Sequence, residues 1–381
     1  MASELNTSKT KLLFIVPRLH TNLLGWLLGL KLLNVNYKVL VQTKSLSEDY
    51  SLGVPEKIDP RSNYYKFLNF SKLSFSNYCL LYKKIRSIEP SIIVFRLEMN
   101  FTSFLMLANI VFSRIPFIIY DQWPIIGISK LKKLIRFILN IFLQTPIITP
   151  VYSYNDDWIG NRISESYDCK KINFLPFGMP VFDKAMLKKK ESHSAKPIRL
   201  VSIGKYQFRK NHLKVINHLS LNSDFMKSNV EVEIIGESTQ SEHIEVLNKL
   251  NQLILSSKLK NKIKLTYNLS HQEALNKIKE CDIFLLLSDS EPASISNIEA
   301  MAFGKPIIIK SGNGTANYLN KKLGGFIVSN FDDFSEKISY LIREVKERER
   351  FGTNNIKSIK LISDPVETAT RLLMIAETIT K

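Results

Sequence analysis

Ser288-Asp289-Ser290-Glu291-Pro292-Ala293-Ser294-Ile295-Ser296-Asn297-Ile298-Glu299-Ala300-Met301-Ala302-Phe303-Gly304-Lys305-Pro306 is the stretch around which the chain reads. An apolar run, Ile283 to Leu287, precedes it, as expected of a strand buried on both faces of a parallel sheet. A polar loop follows, then a helix expected from about Ser296 to Phe303. Gly304 stands where a C-terminal cap belongs, and Pro306 stops any continuation. Ile307-Ile308-Ile309 is the next buried strand. Ligands of open α/β sheets sit just past the carboxyl ends of strands, against helix N-termini. Two carboxylates fall there, Glu291 in the loop and Glu299 in the expected first helical turn, with seven residues between them.

The same alternation continues in both directions. Upstream, strands are expected at Arg199 to Ile203, Val230 to Ile235 and Ile263 to Tyr267. Helices are expected at Leu213 to Leu221, around His243 to Leu255, and at His271 to Glu280. Downstream come a strand at Gly325 to Val328, a helix from about Phe334 to Lys346, and a terminal helix at Pro365 to Thr380. The first half repeats the pattern: strands at Leu12 to Val16, Tyr37 to Gln42, Ile92 to Phe95, Pro116 to Tyr120, Pro146 to Thr149 and Ile172 to Leu175. Helices fall between them, from about Asn22 to Leu33, at Ser74 to Ile88 and at Phe101 to Phe112. Lys44 to Lys72 is polar, tyrosine-rich and weakly periodic. Between the halves, Lys188-Lys189-Lys190-Glu191-Ser192-His193-Ser194 holds no apolar residue and reads as a linker. The expected fold class is α/β, two Rossmann-like doubly wound domains facing one cleft.

The totals agree with an ordinary folded protein. The chain has 381 residues, 45% hydrophobic and 23% charged, enough for two domains with cores of their own. Cys79, Cys169 and Cys281 show no metal-ligand spacing and read as free core thiols. A formal net charge of +18 suits an anionic partner: nucleic acid, an anionic membrane or acidic small molecules. No nucleic-acid-binding module is recognisable, so nucleic acid is the least favoured. Ser129 to Leu143 reads as a basic amphipathic helix, with Lys130, Lys132, Lys133 and Arg136 opposite Leu131, Leu134, Ile135, Ile138 and Leu139. Such a helix either packs its apolar side on the domain or adsorbs to an anionic membrane. The polar Met1 to Lys11 carries no secretory core, and Leu23 to Leu33 is far short of a span. The expected location is the cytoplasm, either soluble or peripheral on the inner membrane face.

Lys205 and, five positions later, Lys210 lie on the loop after the first strand of the second half, in Gly204-Lys205-Tyr206-Gln207-Phe208-Arg209-Lys210-Asn211. Lys205 and Lys210 there, with the amides of the following helix, can neutralise a diphosphate. Ser294, Ile295 and Ser296 would offer amides from the opposite loop. Carboxylates repel phosphate but accept hydrogen bonds from pairs of sugar hydroxyls. Taken singly, loop lysines, a helix-start glutamate and a loop glutamate are ordinary surface features. Together they describe a ligand with a ribose on one side of a diphosphate and a sugar on the other.

Glu291, seven residues, Glu299-Ala300-Met301-Ala302 and then Gly304-Lys305-Pro306 resembles the signature of retaining glycosyltransferases of the two-Rossmann (GT-B) architecture, particularly glycosyltransferase family 4, group 1. Val201-Ser202-Ile203-Gly204-Lys205 with Lys210 is similar to that family's strand-Gly-Arg followed by Lys. The resemblance runs from Arg199 to Val328 and is weaker over the first half. It implies that Glu299 binds the nucleotide ribose and that Glu291 contacts the donor sugar. It implies that Lys205 and Lys210 hold the diphosphate and stabilise the charge on the departing nucleotide, with Gly204, Ser294, Ile295 and Ser296 as the further donor-binding positions. Residues 1–182 would form the N-terminal acceptor-side domain, 183–197 the linker and 198–362 the nucleotide-sugar-binding domain. Residues 363–381 would form a terminal helix packing back on the first domain.

The implied activity is transfer of a sugar from a nucleotide-diphosphate sugar to a glycan or lipid-linked saccharide acceptor in surface polysaccharide synthesis. The implied chemistry uses no metal and no cofactor other than the donor substrate. The alternatives are a nucleotide-sugar epimerase of the same fold and a catalytically silent glycan-binding or scaffold paralogue. Four departures from the pattern are visible. Lys205 stands where Arg is usual, the loop after Glu291 is Pro-Ala-Ser-Ile-Ser in place of the usual Gly-Phe-Gly-Leu type, Asn317 stands where Glu is frequent, and Pro17 to Asn22 lacks the glycines expected after the first strand. On the acceptor side, Asp121-Gln122-Trp123-Pro124 resembles the Asp-x-Trp-Pro of some bacterial polysaccharide transferases, and Asp121 would orient an acceptor hydroxyl. Arg18, His20, Arg96 and Glu98 are further strand-end candidates.

Overall fold

The computed structural model describes residues 10–17, 21–41, 75–98, 100–122, 145–151, 172–179, 196–319 and 323–379. Two six-stranded parallel sheets form the frame. The first is built from β1 (Lys11–Val16), β2 (Asn36–Val41), β3 (Ile92–Arg96), β4 (Phe117–Tyr120), β5 (Ile147–Thr149) and β6 (Ile172–Phe174), in the order β2-β1-β3-β4-β5-β6. Its described helices are α1 (Thr21–Leu32), α2 (Phe75–Ile88) and α3 (Phe101–Ser113). The second contains β7 (Ile198–Ile203), β8 (Val230–Gly236), β9 (Ile263–Tyr267), β10 (Ile283–Leu286), β11 (Ile307–Lys310) and β12 (Gly325–Val328), in the order β12-β11-β10-β7-β8-β9. Its helices are α4 (His212–Leu221), α5 (Ser223–Lys227), α6 (Ser241–Leu255), α7 (His271–Glu280), α8 (Ile295–Ala302), α9 (Phe331–Arg343) and α10 (Val345–Ile362), and α11 (Pro365–Glu377) follows.

The strand sequences explain the architecture. Leu12 to Val16 and Ile283 to Leu286 are buried along their whole length, because helices cover both faces of a parallel sheet. Helix starts are marked by short polar side chains. Ser270 and Glu273 form a reciprocal capping box at α7. Asp364 caps α11 by accepting from the Val366 and Glu367 amides, with Pro365 at the first helical position. In the second sheet β7 lies beside β10, and the chain winds outward from that pair in both directions. The loops leaving β7 and β10 therefore open into one crevice.

Some boundaries differ from the sequence expectation. Helix α8 begins at Ile295, so Glu299 lies in its second turn. Helix α10 was not expected at all: after a helix ending near Lys346 the sequence offered nothing before Pro365. Its centre, Gly352-Thr353-Asn354-Asn355, has the composition of a turn. The structure uses those residues for close packing. A Cβ on Gly352 would lie 2.0 Å from the Gly304 carbonyl oxygen. Asn355 Nδ2 donates to the carbonyls of Lys305 and Gly324, each at 2.7 Å. The short α5 was also unexpected. The basic stretch Ser129 to Leu143, the segment Lys44 to Lys72, the linker run 188–194, Arg18, His20, Cys169 and the Cys79 side chain lie outside the described residues. Cys281 is a buried free thiol. Among the described residues no helix is long and apolar enough to cross a membrane.

Two features join the halves. Helix α11 lies against α1, where a Cβ on Gly29 would sit 1.8 Å from the Pro365 carbonyl oxygen and 2.8 Å from the Ala369 side chain. Trp26, Leu27 and Leu30 share one apolar cluster with Ala369, Leu372 and Leu373. The second joint is a 3-10 turn, Gly314–Tyr318. Its fully buried Tyr318 donates to the Pro150 carbonyl at 3.1 Å and accepts from the Phe177 amide at 2.8 Å. Asn317 donates to the Val151 carbonyl. The loop after β5 is thereby tied to the crevice side of the second sheet.

Candidate active site

The crevice is built first from the β7–α4 loop. Gly204 closes β7, its amide donating to Ile235 at 3.0 Å. Tyr206 anchors the loop from below, its hydroxyl donating to the carbonyls of Ile234 at 2.9 Å and Thr266 at 2.7 Å. A 3-10 turn, Phe208–Lys210, then reverses the chain and ends at Asn211, which is left-handed at φ 57°. Asn211 is held there because its side chain donates to the Leu287 carbonyl at 2.8 Å, across on β10. This turn sends Arg209 and Lys210 towards the loop after β10. Gly204 leaves the space they need, since a Cβ there would be 3.2 Å from Lys210 Cε.

Glu291 receives both cations. Lys210 Nζ and Arg209 Nη1 contact the same oxygen, Oε2, the latter at 3.0 Å. Both Lys210 and Glu291 are buried, at 6% and 7% exposure. Burial alone pushes the Glu291 carboxyl up, but the charges and hydrogen bonds of Lys210 and Arg209 outweigh it and hold it below the ordinary value. Burial pushes Lys210 down, and Glu291 opposes that shift without cancelling it. Lys205 turns the other way, to Glu237 just past β8, at 3.0 Å.

The N-terminal end of α8 forms the far wall. Ser294 Oγ and Ser296 Oγ share a hydrogen bond of 2.8 Å, and Ser296 Oγ donates to the Ile203 carbonyl at 3.2 Å. The serines thus tie the end of β7 to the start of α8. Ile295 is half-buried at the first helical position. The Ser294 amide donates to Thr315 Oγ1 at 3.1 Å, and the Gly314 amide donates to the Glu291 carbonyl at 3.0 Å. The turn that joins the two halves is therefore bonded to the loop that carries Glu291.

Glu299, 6% exposed, pairs with His271 at the start of α7, Nε2 to Oε1 at 2.6 Å. The sequence reading named neither His271 nor Arg209 as a site residue. Arg209 had a visible signal, a cation directly before Lys210 on the same loop. His271 had only its place at a capped helix start after a strand, since its partner lies 28 positions away.

On the first sheet, Asp121 is buried at 7% exposure just past β4, its amide donating to Ile148 at 2.9 Å. Gln122 Oε1 accepts from Asn22 Nδ2 at 3.0 Å and from the Tyr120 hydroxyl at 3.1 Å. The Arg96 guanidinium lies over the Tyr120 ring, 5.6 Å from its centroid. Glu98 accepts from Asn100, next to the cap of α3. Asp121 therefore stands at the carboxyl edge of the first sheet, one strand from the β5 loop that touches Asn317 and Tyr318. The structure brings Glu291, Lys210, Gly204, Ser294, Ile295 and Ser296 to one crevice edge, with Glu299 in the next turn of α8. It engages Lys205 elsewhere. Among the described residues no group of three or more His, Cys, Asp or Glu is placed to hold a metal ion.

Comparison with known proteins adds to this geometry. Residues 183–358, just under half of the chain, match the family model described as Glycosyl transferases group 1. No curated protein matches the sequence. Among solved structures, a glycosyltransferase from Rickettsia africae ESF-5 is similar at 17% identity over 98% of this chain and 99% of the other, with a TM-score of 0.71. Anabaena HepE in complex with UDP-glucose is similar at 14% identity over 97% of this chain and 99% of the other, TM-score 0.70. Sucrose-phosphate synthase from Thermosynechococcus elongatus is similar at 12% identity over 97% and 99%, TM-score 0.69. At these identities the structural likeness establishes the two-sheet architecture.

Proposed function

We propose that the chain, a glycosyltransferase whose residues 183–358 carry the group 1 match, moves a sugar with retention from a nucleoside diphosphate sugar to a glycan or lipid-linked saccharide. The observation that carries this reading is the crevice edge between β7 and β10. There Lys210 pairs with Glu291, Ser296 ties the start of α8 to the end of β7, and Glu299 lies one helical turn further on. UDP-glucose in the similarly folded HepE supports a nucleotide sugar as donor.

In the proposed reaction Glu299 accepts from the ribose hydroxyls. Lys210 and the amides at Ser294, Ile295 and Ser296 neutralise the diphosphate. Glu291 contacts the donor sugar. The bond between the anomeric carbon and the diphosphate oxygen breaks, and the acceptor oxygen attaches on the same face. The acceptor proton passes to the departing phosphate. Cations and amides stabilise the leaving charge, so the reaction needs no metal. Asp121 orients the acceptor hydroxyl from the opposite sheet. The product is a surface polysaccharide or its lipid-linked precursor, made at the inner membrane face, to which the +18 charge draws the protein.

A thermal-shift screen of nucleotide sugars, followed by hydrolysis assays on whichever stabilises the protein, tests the reading. The expected result is a raised Tm with one donor, lost in Glu299→Ala. If no nucleotide sugar raises Tm and none is hydrolysed, the donor-site assignment is wrong.

A further inference from the structure

We infer that Arg209, not Lys205, is the second cation that receives the donor diphosphate; the inference rests on the donor-site reading above. The β7–α4 loop carries three cations, and their partners divide them. Lys205 is neutralised by Glu237 at 3.0 Å, outside the Glu291 cluster. Burial pushes the Glu237 carboxyl up, but hydrogen bonds from Thr239 and Lys205 and the Lys205 charge outweigh it and hold it below its ordinary value. Glu237 therefore stays ionised at neutral pH and keeps Lys205 engaged.

Lys210 and Arg209 share the single negative charge of Glu291. Two cations on one carboxylate leave one positive charge in surplus. Its location follows from exposure. The Lys210 side chain is 7% exposed, and the Arg209 side chain is 44% exposed at the mouth of the crevice. Arg209 Nε donates to Gln207 Oε1 at 3.2 Å and Nη1 to Glu291 at 3.0 Å, which fixes the plane of the guanidinium. Its Nη2 has no protein partner among the described residues. A planar fork held by two of its nitrogens, with a third facing solvent, is suited to a phosphate oxygen. The Arg that the related pattern carries at position 205 is thus replaced by an Arg four residues later, reaching the same anion from the other side of the turn.

Calorimetric titration of UDP, ADP and GDP, and of the matching nucleosides, into the full chain tests this. The cation variants are Arg209→Ala, Arg209→Lys and Lys205→Ala, with Glu299→Ala as the donor-site control, each first shown by its melting temperature to be folded. For the diphosphate that binds the native protein tightest, Arg209→Ala weakens binding about tenfold or more, and Lys205→Ala by about threefold at most. Arg209→Lys falls between, and binding of the nucleoside changes less than about twofold in each of the three cation variants. A larger loss in Lys205→Ala than in Arg209→Ala overturns the inference. So does native-like affinity in Arg209→Ala while Glu299→Ala remains defective, and in that case the donor-site reading survives. If the native protein binds none of the diphosphates, both fall together.

Discussion

Among the described residues, the crevice of the second sheet centres on an ion-paired carboxylate, and the end of β4 on a network of neutral amides, hydroxyls and rings with Arg96 and Asp121 beside it. At the β7–β10 crevice, Glu291 takes two cations on one oxygen, and Glu299 pairs with His271. At the end of β4, Gln122 collects Asn22 and Tyr120, and Tyr120 packs edge-on to Trp26 with ring centroids 5.1 Å apart. Burial pushes the Tyr120 hydroxyl up, against the Arg96 charge, so it remains a neutral donor at any ordinary pH. Two cations that share one carboxylate can be re-partnered by an incoming anion. A neutral amide-and-hydroxyl network instead exchanges hydrogen bonds one for one, which suits a polyol. The difference is the one the proposed function requires, an anionic donor on one sheet and a hydroxyl-rich acceptor on the other. Tyr318 joins the two chemistries, since it is bonded to the first half and ends the turn whose Gly314 is bonded to Glu291.

The sharpest way to break this contrast is Lys210→Ala. It leaves buried Glu291 with the half-exposed Arg209 alone. We expect kcat/KM to fall about 10²–10³-fold, equivalent to about 3–4 kcal/mol. A fall under about tenfold in steady-state kinetics would mean the ion-held edge is not where the reaction is stabilised. Tyr318→Phe comes next. It removes the hydroxyl between Pro150 and Phe177, leaving a buried carbonyl and a buried amide unpaired, at about 1–3 kcal/mol. Denaturant titration should show the loss; an unchanged midpoint would mean the halves are not joined through this group. The smallest effect is expected at His271→Ala, which frees Glu299 to rotate. Donor KM should rise about tenfold with kcat within about threefold, and Gln at 271 should restore much of the loss. A drop confined to kcat would contradict a role in holding Glu299 for the donor.

Much of the second half was legible because its strands are short unbroken apolar runs separated by polar loops, so period and punctuation agree. Ile283 to Leu287 and Ile307 to Ile309 illustrate this, as do the helix starts at His271 and Pro365. Helix α10 was not legible, because Gly352 and Asn355 have the local signature of a turn, and their partners, Gly304 and Gly324, lie about 30 or more positions away. Glu291 and Lys210 were found from spacing and strand-end position. What escaped was direction. Nothing local says that Lys205 will turn to Glu237, since that depends on which strand neighbours β7. His271 escaped for the same reason. At the first sheet Asn22 and Gln122 are 100 positions apart, so no motif connects them.

The seating of α11 on α1 has a consequence for biosynthesis. At Gly29, α1 presents a close-packed face whose cover, Pro365 and Ala369, is translated some 340 residues later. At about 5–20 residues per second, that face stays uncovered for roughly 20–70 s on the ribosome. The first half can form its sheet early, but it closes its surface only when the second half has already been made. Nascent chains halted before Pro365 should therefore engage chaperones through α1, long after β1 to β6 have emerged.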